Sequence, residues 1–329
     1  MPRFAGLRLN SDWGLSSEVE LLSPALLEHA AASGASIAFT PTIAVSDPLR
    51  DPQVGYARFK LISYGDEGVL ALTRPLSSSL DEASRLLAVM RGLGIARVLS
   101  VAAGNLKDAL ALIDALASGV DAVEFDVGLS CLLAGEDVAY VRELAGELSA
   151  TLSAPLILKL SAAGANLINV AKTAADVNAA AIVLTPNVVY KIGRHFFRLH
   201  SAHMYPALLF SVAESLAAMD VSVAYVTRAE QEPLASLMPL RLLDVTYVLQ
   251  WLGYATPRAR SSIPLSWRGV SKSLRVYARA GARYCPYGLI RGEGFVEGCN
   301  LCGACFELNE PGLVELAALL TPSDSGGGP

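Results

Sequence analysis

The sequence predicts an α/β chain, a (β/α)8 TIM barrel carrying a small cysteine-rich C-terminal extension. Three observations lead there. Short apolar runs such as Ala122-Val123-Glu124-Phe125 alternate with helix-length segments, the pattern of parallel strands buried on both faces. Eight such runs fit into roughly 250 residues, the usual size of this barrel. No G-x-G-x-x-G turn follows the first run, which disfavours an open doubly wound sheet.

The elements follow in order. Leu7 to Leu9 alternates as a first strand. Ser23-Pro24 marks a helix start, since proline suits the first helical position, and Gly34 ends that helix. Ala35 to Thr40 is the second strand. Val45 to Tyr56, rich in Pro, Asp and Gly, reads as a loop, and Phe59 to Thr73 as a hairpin around Gly65-Asp66-Glu67-Gly68. From Leu80 the alternation becomes regular. Helices Leu80–Leu93, Leu106–Ser118, Glu136–Leu152, Asn166–Val177 and Pro206–Met219 separate strands at Arg97–Val101, Ala122–Val127, Pro155–Leu160, Ala180–Leu184 and Val221–Val226. Thr185 to Tyr205 reads as an irregular loop, and Leu243–Leu249 as the eighth strand. The barrel is expected over residues 1–255, a helix and the cysteine segment over 256–322, and a disordered tail over 323–329.

Composition narrows the function. The 329 residues are 53% hydrophobic with a mean hydropathy of +0.42. The longest apolar stretch, Met204 to Met219, is broken by Pro206 and Glu214. It falls short of the ~18–20 uninterrupted residues a membrane span needs. A net charge of −5 without a basic run argues against nucleic acid. The opening Met1-Pro2-Arg3-Phe4 is not a charged-then-apolar leader, so a cytoplasmic protein with reduced thiols is expected.

Four of the five cysteines lie near the C-terminus: Cys285, followed by Pro286, and the triplet Cys299, Cys302 and Cys305. A C-x2-C-x2-C run lets one loop ligate three corners of a [4Fe–4S] cubane, with Cys285 as the fourth. A four-cysteine zinc site is the alternative, although zinc sites normally use two separated C-x2-C pairs.

Strand ends are where a barrel carries function. Ser130 and Cys131 follow the fourth strand, Lys159 ends the fifth, and Asn187 follows the sixth. Cys131 is a proton-transfer group or nucleophile if its pKa is lowered, and otherwise a small buried hydrophobe. Lys159 ends an apolar strand, where an unpaired ammonium is costly, so it is expected to line the site. Asn187, after Pro186, also suits a plain turn. Lys191 to His203 holds several basic and histidine residues and reads either as a solvated loop or as a contact for an anionic ligand.

These residues resemble the dihydroorotate dehydrogenase family, FMN enzymes on this barrel, over roughly residues 1–250. The likeness lies in the opening through Ala32-Ser33-Gly34-Ala35, Thr40, Asp47-Pro48 and Pro52-Gln53-Val54-Gly55-Tyr56, and in Leu129-Ser130-Cys131, Lys159 and Asn187. It implies an FMN-dependent oxidoreductase acting on a pyrimidine-like small molecule, and commonly a homodimer. Cys131, with Ser130, would handle the substrate proton. Lys159 would face the flavin ring and Asn187 the substrate. The tail resembles that of related dihydropyrimidine dehydrogenases, implying electron transfer through the cluster to a partner protein.

The departures are specific. The second strand runs into Pro41 where the family has lysine, and Thr73 to Ser79 stands in place of the Asn-rich pyrimidine loop. Gly128, Leu132 and Leu133 stand at the positions flanking the active-site motif. The glycines that let backbone amides hold the FMN phosphate are missing. Ser201, in His200-Ser201-Ala202, and Arg228, in Thr227-Arg228-Ala229, occupy those turns, Arg228 offering a charge-assisted contact instead. A barrel that keeps the fold and the metal site as a structural or electron-relay subunit is the alternative.

Overall fold

The computed structural model describes residues 1–18, 22, 24–45, 59–64, 68–73, 79–135, 138–161, 172, 174–185, 188–192, 195–201, 221–227, 240–243, 274–283, 285, 289–297, 305 and 313–318. In chain order the first elements are β1 (Arg3–Phe4), β2 (Leu7–Arg8), β3 (Trp13–Leu15), α1 (Pro24–Ala32), β4 (Ile37–Phe39) and β5 (Ile43–Ala44). Next come β6 (Phe59–Tyr64), β7 (Gly68–Thr73), α2 (Leu80–Leu93), β8 (Ala96–Ala102) and α3 (Leu106–Asp114). The middle holds β9 (Ala122–Asp126), α4 (Val127–Ala134), α5 (Val138–Thr151), β10 (Leu156–Ser161) and β11 (Ala181–Thr185). Then follow β12 (Val188–Ile192), β13 (His195–Ser201), β14 (Ser222–Thr227) and β15 (Leu240–Leu243). Last are β16 (Leu274–Ala278), β17 (Gly294–Phe295) and β18 (Val314–Ala318).

Eight parallel strands close into a ring in sequence order: β3, β4, β8, β9, β10, β11, β14 and β15, which returns to β3. The predicted (β/α)8 barrel is therefore the fold. Closure requires strand one to approach strand two tightly, and Gly14 permits it. A Cβ there would overlap the Ile37 carbonyl and side chain.

Two cores result from the alternation of side chains along each strand. Phe39, Val98, Ile157, Val183, Val226 and Leu242 fill the barrel interior. Leu99, Val123, Leu158, Leu184 and Tyr225 point outward and pack with Leu27, Leu86, Met90 and Leu148 of the helices. The helices obey local rules. Ser79 Oγ accepts from the Glu82 amide at 3.1 Å at the start of α2, and Gly94 ends it at φ 69°, as an N-cap and a left-handed C-cap should.

Three expectations need correction. Leu7–Arg8 is not the first barrel strand; it pairs antiparallel with Arg3–Phe4. That hairpin plugs the N-terminal end of the barrel with Phe4, Ala5 and Leu9, and Trp13–Leu15 supplies the first strand. The eighth strand is Leu240–Leu243, earlier than Leu243–Leu249, and pairs with β14 and β3. The stretch after strand six is not irregular. Val188-Val189-Tyr190-Lys191-Ile192 and His195-Phe196-Phe197-Arg198-Leu199 are β-branched and aromatic, compositions that favour strands. They pair as β12–β13, and β13 adds to the β6–β7 hairpin to make a four-stranded antiparallel sheet.

The described part of the C-terminal segment is a three-stranded antiparallel sheet ordered β17-β16-β18. Tyr277 packs edge-on to Phe295, with ring centroids 5.2 Å apart. The helix expected over 256–322 falls largely outside the described residues.

Candidate active site at the C-terminal mouth of the barrel

The barrel interior changes character along its axis. Above the apolar floor, buried polar residues come from the ends of successive strands: Ser17 and Glu18 after β3, Thr40 and Thr42 after β4, Ser100 on β8, Glu124 and Asp126 on β9, Lys159 on β10 and Thr185 on β11. Lys159 sits at the centre, with a side chain 2% exposed. Its Nζ lies 3.2 Å from Glu18 Oε1, 3.0 Å from Asp126 Oδ2 and 3.1 Å from Ser17 Oγ, to which it donates. The Ser17 contact is a hydrogen bond and the other two are ion pairs, Asp126 Oδ2 being buried with no hydrogen-bond partner among the described residues. Thr185 Oγ1 donates to Glu18 Oε1 at 2.6 Å. Asp126 works twice, because its Oδ1 also accepts the Leu129 amide at 3.0 Å and caps α4.

Glu124 forms the second half of the cluster. Its Oε1 accepts from Ser100 Oγ at 2.7 Å, and Ser100 Oγ lies 2.9 Å from Thr42 Oγ1. The Ser100 amide donates to Thr40 Oγ1 at 3.0 Å. Burial pushes the Glu124 carboxyl up. The positive charge of Lys159 and the Ser17 and Ser100 hydroxyls offset part of this, the negative charge of Asp126 adds to it, and the net direction is upward. Three carboxyl groups thus surround one ammonium among the described interior residues. A buried ionic cluster of this kind adds little stability; at the functional end of a barrel it reads as a site.

The sequence-predicted residues divide. Lys159 lies where expected, buried at the end of strand five. Ser130 and Cys131 lie on helix α4, which begins immediately after β9. Ser130 is fully buried, its Oγ accepting the Ala103 amide at 3.2 Å. Cys131 is half-buried and packs against the core between sheet and helices. Ser201 lies at the end of β13, opposite Leu70. Asn187, Arg228, Cys299 and Cys302 lie outside the described residues. Cys285 lies between β16 and β17, and Cys305, buried, between β17 and β18. Two connections of one small sheet therefore carry Cys285 and Cys305. Among the described residues no group of three or more His, Cys, Asp or Glu side chains is arranged to hold a metal ion.

Sequence reasoning missed Glu18, Glu124 and Asp126. The signal was present for two of them. Glu124 and Asp126 interrupt an apolar strand, the same anomaly that singled out Lys159. Glu18 has no such marker.

No helix among the described residues is long and apolar enough to cross a membrane. No family model matches the chain, and no curated protein sequence matches it. Solved structures with a similar trace include a 2-naphthoyl-CoA reductase complex with 2-naphthoyl-CoA, at TM-score 0.46 and 10% identity, covering 74% of this chain and 49% of that one. A mandelate oxidase variant with (S)-mandelic acid has TM-score 0.45 and 14% identity, covering 76% and 68%. A dihydrodipicolinate synthase family protein from Coccidioides immitis has TM-score 0.43 and 12% identity, covering 75% and 74%. The chain spans about half the length of the 2-naphthoyl-CoA reductase. Likeness at this level decides neither cofactor nor substrate.

Proposed function

We propose that the chain is an FMN-dependent oxidoreductase of the barrel class, acting on a pyrimidine-like small molecule at the C-terminal mouth. In this reading it exchanges electrons with a partner protein through a [4Fe–4S] cluster on Cys285, Cys299, Cys302 and Cys305. The observation that carries the reading is Lys159, an ammonium buried at the end of strand five among groups from six strands. Such a cation is the group an electron-rich ring edge requires. The hydride chemistry belongs to the flavin when bound; the protein supplies position, field and protons.

The described donor set fits the ring under one condition. Lys159 reaches a ring carbonyl by exchanging one of its present partners, and Ser17, the uncharged one, costs least to release. Asn187 and Arg228 are proposed for the substrate and the phosphate, and Ser201 for the phosphate turn. The resemblance assigns proton transfer to Cys131, supported by Ser130. Since the thiol packs against the core, Cys131→Ala tests that role directly: turnover is lost while the flavin is kept. A second reading, a barrel that holds only the metal site, is favoured by the two carboxylates that already pair with Lys159.

The deciding measurement is the anaerobic absorption spectrum with flavin, iron, sulfide and zinc assays on one sample. Flavin bands with about four irons and four sulfides per chain support the proposal. No flavin after FMN is added sinks it, and zinc in place of iron reassigns the cysteines.

A further inference from the structure

The Glu124 contacts have a direction. A hydroxyl has one hydrogen, and Ser100 gives its own to Glu124 Oε1 at 2.7 Å. The 2.9 Å contact between Ser100 and Thr42 must then be donated by Thr42. The order Thr42 to Ser100 to Glu124 makes Oε1 an acceptor. The other oxygen, Oε2, is buried with no partner within hydrogen-bond distance among the described residues, the Ser17 hydroxyl being near the carboxyl group. A bare carboxylate oxygen in that position is costly; an O–H there is much less so.

The surrounding charges point the same way. Lys159 from β10 pairs directly with Glu18 and Asp126, and its charge offsets only part of the burial that raises Glu124. Thr42 lies at the outer end of the chain of hydroxyls. It is buried, but Val45, three residues on, is 50% exposed.

We propose that Glu124 is the proton donor of this site, a neutral carboxylic acid protonated on Oε2 and refilled through the Ser100 and Thr42 hydroxyls. The recipient is an anionic carbon or oxygen of a small molecule held at the mouth. In the relay the Oε2–H bond breaks as the bond to the recipient forms. The Ser100 proton passes to Oε1, the Thr42 proton to Ser100, one proton from solvent restores Thr42, and a half-turn of the carboxyl group returns the O–H to the recipient's side. No electrons change hands. The inference rests on this cluster and not on the flavin reading, and it is read on the unliganded chain.

Infrared spectroscopy of the full-length protein tests it. The wild type should show the carbonyl stretch of a neutral carboxylic acid, and Glu124→Gln should abolish that band. A wild type without the band, or a band that survives Glu124→Gln, overturns the assignment. On transfer to D2O, Ser100→Ala and Thr42→Val should keep the band but slow its deuterium shift several-fold. Exchange as fast as in the wild type overturns the relay. If Glu124→Gln does not fold, Ser100→Ala still decides: loss of the donor to Oε1 must move the band, and an unmoved band refutes the assignment to Glu124.

Discussion

Replacing Lys159 by methionine removes the cation and keeps most of the volume. At 3.2 and 3.0 Å, each ion pair is worth about 5 kcal/mol at an effective dielectric of ~20. Desolvation of the ammonium offsets much of that, so the net loss is set by what remains. Glu18 and Asp126 would be left buried without a counter-charge, a situation that costs about 3–5 kcal/mol. Thermal unfolding should then shift down by about 6–20 °C, at roughly 2–4 °C per kcal/mol. The combined variant Lys159→Met, Glu18→Gln, Asp126→Asn should recover most of the loss, since the uncompensated charges are gone. A combined variant no more stable than Lys159→Met would refute the electrostatic account and leave packing as the cause.

Other predictions follow from single contacts. Gly14→Ala places a methyl against the Ile37 backbone and should cost at least the ~1–3 kcal/mol of an overpacked core, read as a lower urea midpoint with an unchanged slope. The folded-state pKa of Glu124 is raised, so its contribution is present at low pH and is lost as pH rises from the ordinary carboxylate range through the raised value. Glu124→Gln should therefore gain on the wild type as pH rises, and a stability difference independent of pH would contradict this. Arg97 binds Asp121 through its amide at 2.8 Å and through Nε and Nη2, both at 2.9 Å. Burial pushes the Asp121 carboxyl up, but these bonds outweigh it and hold it below the usual range. The contribution is lost as pH falls, so Asp121→Asn should cost about 1 kcal/mol at neutral pH and much less in acid.

The barrel was legible because buried parallel strands write themselves as apolar runs, and helices as amphipathic ones with caps such as Ser79 and Gly94. The N-terminal hairpin was not legible. Its turn residues Ala5 and Gly6 both have positive φ, 49° and 78°, and two-residue hairpin turns of that kind normally use Asn or Gly at the first position. Ala5 holds this backbone with its methyl fully buried in the plug, a tertiary gain that local sequence does not display. The β12–β13 hairpin was hidden by its charges, which read as a solvated loop although the alternation around them was strand-like. Lys159 was found because a lysine in an apolar strand is conspicuous. Its partner Glu18 comes from a short polar stretch 141 residues earlier, and only closure of the ring brings the two together.

The antiparallel sheet joins segments made at very different times. Thr73 closes the β6–β7 hairpin, and its partner on β13 is Arg198. At ~5–20 residues per second a ribosome needs about 6–25 s between the two. Throughout that interval the edge of Gly68-Val69-Leu70-Ala71-Leu72-Thr73 has no strand to pair with from β13. An uncharged apolar edge is a template for other nascent chains, so the yield of intact protein should depend on how fast the stretch up to Ser201 is translated. Synonymous codons that slow that stretch would lower soluble yield without altering a single residue of the finished molecule.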